Sequence, residues 1–210
     1  MAIFEQARED WQLFGTKCVH TLKEHDGLVA LDDVRRTEFM ATGILNYYIE
    51  NKAQGLICEI PNGGAQSASA QKCMAAATSM IAVIHLVLKC PVIWITPDQS
   101  RAAAGWNKNE QPPLPAGLSP EERKDLARLK KQKRPENAVL IAAMKLKDKA
   151  RSEAKAARQK ALKDSVMGAM GAKYPAITKI KKDDQEHIAD ACASFEAAKG
   201  ARLARLLEQL

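Results

Sequence analysis

Three side chains have the types and spacing to do chemistry. Glu59 interrupts the apolar run Leu56-Ile57-Cys58-Glu59-Ile60, and a carboxylate is costly to bury unless it binds a metal or pairs with a cation. Much later, Asp183-Asp184-Gln185-Glu186-His187-Ile188-Ala189-Asp190 sets His187 and Asp190 three residues apart. That spacing puts both on one face near the start of a helix. Alanines at 189, 191 and 193 let this turn lie close against a sheet. An imidazole and a carboxylate aimed at a strand glutamate form a site for a divalent cation. Each residue also has a plainer reading: Glu59 facing outward on an edge strand, Asp183 and Asp184 capping the helix, His187 at a surface or interface. Only the joint pattern favours chemistry.

The elements that must position these groups follow from periodicity and breakers. Residues 2–4 and 11–20 read as two short strands around a polar turn at 6–10. Asp32-Asp33 offers N-cap chemistry for a helix to about Lys52, ended by Gly55. Residues 55–61 read as a central, buried strand, Asn62-Gly63-Gly64 as a loop, 66–89 as a long helix, and 91–97 as a second buried strand. Four prolines between 106 and 120 make a loop. Two charged helices, 121–134 and 137–163, are followed by a short helix at 164–172, a Tyr174-Pro175 turn and a last helix at about 184–207. The order of elements predicts an α/β domain with a mixed sheet.

Composition narrows the function classes. The chain has 210 residues, 46% of them hydrophobic, and a net charge of +7; it can bury a core, which excludes wholesale disorder. Residues 106–163 hold 16 basic and 7 acidic side chains, +9, against 16 and 18, −2, elsewhere. The positive charge therefore belongs to one segment, suited to a polyanion. Five cysteines without a CxxC pair argue against a disulfide framework or zinc knuckle and fit a reducing cytosol. The start has no signal-peptide pattern. His85, Lys89 and Pro91 interrupt the apolar stretch 73–95, which reads as a buried helix and strand of a soluble protein, not a membrane span.

Taken in order, the strand 'LICEIP', a Gly-containing loop, an Ala-rich helix, the strand 'PVIWITP' and the late 'HIADACA' helix resemble the RuvC-like Holliday-junction resolvases. The segment 'WQLFGTKCVHT' is similar to that family's second hairpin strand, Thr96-Pro97-Asp98-Gln99-Ser100-Arg101 with Gly105 to its strand-end motif, and Lys163-Asp164-Ser165-Val166 to its helix start. The resemblance implies an RNase H-like mixed sheet flanked by helices over residues 1–105 and 163–210, with 106–162 as a basic helical insertion. It further implies two Mg²⁺ ions (or Mn²⁺) held by Glu59, His187 and Asp190, hydrolysis of a phosphodiester, a homodimer acting on a four-way DNA junction, and a bacterial or phage-infected cytoplasm. The family's first strand carries an Asp that holds both metals. Here Met1-Ala2-Ile3-Phe4 resembles the hairpin after that strand, and Asp10 is a poor substitute. The expectation is a longer native protein with an upstream strand; the alternative is a catalytically impaired protein that binds branched or duplex DNA without cutting it.

Arg101, Lys130, Lys131, Lys133, Arg134 and Lys163 are the expected DNA contacts. Residues 107–163 contain no aromatic side chain, so phosphate contact rather than base stacking is the expected mode. A solvated helix contributing only solubility is the plainer reading. A third function is an assembly protein whose basic arm binds nucleic acid without selecting its structure.

Overall fold

The computed structural model describes residues 1–7, 10–22, 29–60, 68–132, 134–199 and 203. Alternating apolar residues at the start give β1 (Ala2–Ala7) and β2 (Asp10–Thr16), an antiparallel pair. Register slips between Ile3 and Phe4, so Phe14 is left over as a bulge. Residues 17–22 leave the ladder as coil rather than continuing the strand to His20. They lie on α1 (Val29–Glu50): a Cβ on Gly43 would come within 2.9 Å of Val19 Cγ2.

Helix α1 corrects two expectations. It begins before Asp32, so Asp32 is no cap; it is buried in the first turn and pairs with Arg35 at 2.8 Å. Gly55 is not the stop either. The helix ends at Glu50, and Lys52 takes the left-handed backbone, φ 50°, that usually favours glycine.

The two apolar runs form β3 (Leu56–Glu59) and β4 (Val92–Ile95), paired in parallel with Leu56 opposite Val92 and Glu59 opposite Ile95. Between them runs α2 (Ala68–Leu88); the loop expected at Asn62-Gly63-Gly64 lies outside the described residues. Met80 and Ile84 of α2 are buried, but Val83, Leu86 and Val87 are exposed. The window Gln71–Leu88 is long and apolar enough to cross a membrane, and most of it lies at the surface of this chain. The expected buried helix is thus buried on one face only, because packing against α1 hides a single stripe.

Pro97 does not merely close β4. It opens α3 (Pro97–Ala103), with Thr96 and Gln99 forming a reciprocal capping box. Helix α4 (Pro120–Gln132) and helix α5 (Ala138–Lys173) follow, then α6 (Lys182–Ala198), with short 3₁₀ turns at Lys108–Glu110, Pro135–Asn137 and Pro175–Lys179. The short helix expected at 164–172 is the end of α5: no proline lies between Pro135 and Pro175, and the helix runs on through Gly168 and Gly171.

The chain divides into two compact units, Met1–Trp106 with Ser165–Leu210, and Asn107–Asp164. In the first, α/β in class, the strands form two separate two-stranded sheets instead of one mixed sheet. Phe195 of α6 joins their interiors: it stacks on Phe4 at 3.7 Å, and Trp11, Ile57 and Ile93 pack around it and Leu203. A cleft of about 670 Å³ has residues 1–5, leading into β1, and 55–58, leading into β3, in its lining. In the second unit, Ser119 and Glu122 cap α4 reciprocally, Glu122 pairs with Lys147 at 2.8 Å, and Arg151 donates to the Pro115 carbonyl at 2.9 Å.

Candidate active site

Small side chains decide where the site sits. Ala189 and Ala193 are fully buried, which lets α6 lie close on α3 and across both sheets. The buried hydroxyls of Ser100 and Ser194 share a 3.0 Å hydrogen bond that fixes α3 against α6. This packing brings the outer face of α6 to the C-terminal end of β3, where Glu59 stands. In open parallel sheets, ligand sites gather at the carboxyl ends of the strands.

Glu59 is exposed, not buried as its apolar neighbours suggest. The strand end bearing it faces solvent. His187 and Asp190 are exposed on α6 as well. Although Asp190 has an open face, its carboxyl is pushed up to about 6. The largest cause is water withheld by the surrounding protein; the negative charges of Glu59 and Glu186 add to it, and His187 and Arg101 oppose it. Five ionisable groups from β3, α3 and α6 therefore share one field, with carboxylates in excess. Such a site favours a cation. Glu186 was not singled out by the sequence; its position four residues before Asp190 was the available signal.

The ligand atoms do not close into a tight set. Among the described residues, the three candidate metal ligands lying within 4.8 Å of one another are Cys18, His20 and Asp184. Asp184 does not cap α6, and neither does Asp183: the cap residue is Lys181, without a side-chain bond, and both aspartates lie in the first turn. Asp184 accepts from His20 Nε2 at 2.8 Å instead. Burial raises Cys18, the Met1 ammonium opposes it and the Asp184 carboxylate adds to it, so the net shift favours the thiol and makes Cys18 a poor nucleophile.

The expected basic contacts spread over both units. Arg101, half-buried on α3, pairs with Asp98 at 3.4 Å. Lys130 and Lys131 are exposed in the last turn of α4, Arg134 is exposed 3.7 Å from Glu136, and Lys163 is exposed on α5. Lys133 lies outside the described residues. The sequence reading missed Lys124 and Arg128. With Lys131 they fall at i, i+4 and i+7 of α4 and line a shallow groove, a helical stripe that periodicity alone could have revealed.

No family model, curated protein or solved structure matches this chain.

Proposed function

We propose that the protein is a Mg²⁺-dependent, structure-selective DNA endonuclease resembling the Holliday-junction resolvases. The observation that carries this reading is the raised Asp190 carboxyl among Glu59, Glu186, His187 and Arg101 at the end of a parallel strand pair. Crowded carboxylates beside a cationic side chain suit a metal and a phosphate together. Glu59 and Asp190 would hold Mg²⁺, His187 would ligate or orient the attacking water, and Arg101 would contact the scissile phosphate. Mg²⁺ held there would supply Lewis-acid activation of water and charge neutralisation at the leaving oxygen.

In this reading the two ladders are halves of one RNase H-like sheet. Residues of β1 and β3 line one cleft, and each of these strands has a single strand partner among the described residues. The +9 of residues 106–163 attracts the junction, and Lys124, Arg128 and Lys131 give it a row of phosphate contacts. A homodimer in the cytoplasm of a bacterial or phage-infected cell completes the proposal; Val83, Leu86 and Val87 of α2 are the exposed apolar surface for pairing.

A nicking assay on four-way junctions with Mg²⁺ tests it, using the chain as it stands and the chain extended by the residues encoded in frame before Met1. Cutting that Glu59→Gln abolishes, with junction binding retained, supports the proposal; cutting unchanged by Glu59→Gln rejects the site. A second reading, binding of branched DNA without cleavage, is favoured by the failure of Glu59, His187 and Asp190 to close into a tight ligand set. Its signature is junction binding with no nicking by either chain.

A further inference from the structure

We propose that Cys18, His20 and Asp184 form a zinc site, separate from the carboxylate cluster, that clips the coil after β2 to the first turn of α6. The sulfur, nitrogen and oxygen atoms all lie within 4.8 Å of one another. Tetrahedral zinc, with bonds of about 2.0–2.3 Å, holds its ligand atoms roughly 3.3–3.8 Å apart. The His20 Nε2 to Asp184 Oδ1 distance of 2.8 Å would open by about half an ångström at that spacing, and Cys18 would close by an ångström or less.

Local structure presents the ligands together. Cys18 and His20 both reach Asp184, while Val19 between them packs against Gly43 of α1. Asp184 is carried in by α6, 164 residues after His20. The donor types select the metal: a thiolate with an imidazole suits zinc, whereas Mg²⁺ takes oxygen ligands. His20 is 64% exposed, which gives the ion an entry path and leaves a fourth position to water. Binding releases the Cys18 proton and shifts the His20 ring proton to Nδ1, because Nε2 becomes the ligand. The clip would fix α6 one turn ahead of His187.

Cobalt titration of the full chain tests the site, since Co²⁺ bound to a thiolate gives a near-ultraviolet charge-transfer band. The expected result is a band saturating at one Co²⁺ per chain, displaced by equimolar Zn²⁺ and untouched by excess Mg²⁺. Cys18→Ser should lose the band, and His20→Ala, a change at an exposed side chain, should weaken Co²⁺ binding at least tenfold. Zn²⁺ should raise the melting temperature of the parent chain and of neither variant. Absence of the band, or a band and a thermal shift unchanged in both variants, overturns the proposal. Glu59→Gln should keep the band in full, so loss of nicking and loss of the zinc site are read independently; a band lost with Glu59→Gln would place the metal elsewhere and also overturn it.

Discussion

The middle and the C-terminal turn of α6 treat a carboxylate in opposite ways. Near its C-terminus, burial pushes Glu196 up, but Lys173, Tyr174 and Lys199 all donate to it, and together they hold it below the usual carboxylate range. Six residues earlier, burial and then the carboxylates of Glu59 and Glu186 push Asp190 up to about 6, and no donor bonded to it offsets them as fully. One helix thus carries a charge the fold has satisfied and a charge it has left in want of a cation. The first serves stability. The second costs stability, as functional sites commonly do.

The sharpest way to break this contrast is Glu59→Gln. Losing one metal ligand should cut Mg²⁺-dependent junction nicking by about 10³-fold, several kcal/mol at 1.36 kcal/mol per decade, with junction affinity retained in gel shift. Glu196→Ala should do the reverse: it removes the acceptor shared by three donors and should cost about 2 kcal/mol, read from the urea midpoint at constant slope. Unchanged stability in that variant would show that Glu196 is as uncompensated as Asp190. Replacing Lys124, Arg128 and Lys131 with alanine should reduce the slope of log affinity against log salt by about 2–3; an unchanged slope would mean that α4 is merely solvated. The smallest effect on stability belongs to Asp190→Asn. Asp190 binds its proton more tightly folded than unfolded, so its contribution is fully present below about pH 4 and is lost as pH rises through about 6. The variant should therefore melt slightly higher than the parent at pH 7, by under about 1 kcal/mol for a group open to solvent, and match it near pH 4.

Legibility in the sequence follows how local each determinant is. The apolar runs of β3 and β4 and the Ala-rich α2 are set by neighbours in sequence, and their reading agrees with the structure to within a few residues. Asp32 misled because a residue suited to capping was also suited to pairing with Arg35 in the first turn. Gly55 misled because a lysine accepted the left-handed backbone three residues earlier. Glu59 was found by its incongruity, yet its exposure depends on where the strand ends in space. The Cys18–His20–Asp184 group is spread over most of the chain, and only packing of α6 against the coil after β2 brings it together. Glu186 needed the same packing to be noticed.

The bare edges of the strands that line the cleft have a consequence for how the molecule behaves in a tube. β1 and β3 are short, six and four residues, but each offers backbone donors and acceptors that no described strand uses. Such rows accept whichever extended chain arrives first. Solubility then becomes a matter of competition: a dilute sample meets few rivals, while a concentrated or partly unfolded one supplies its own. A proline in β1 would withdraw one of those donors, giving up the capacity to receive a strand in exchange for a quieter surface.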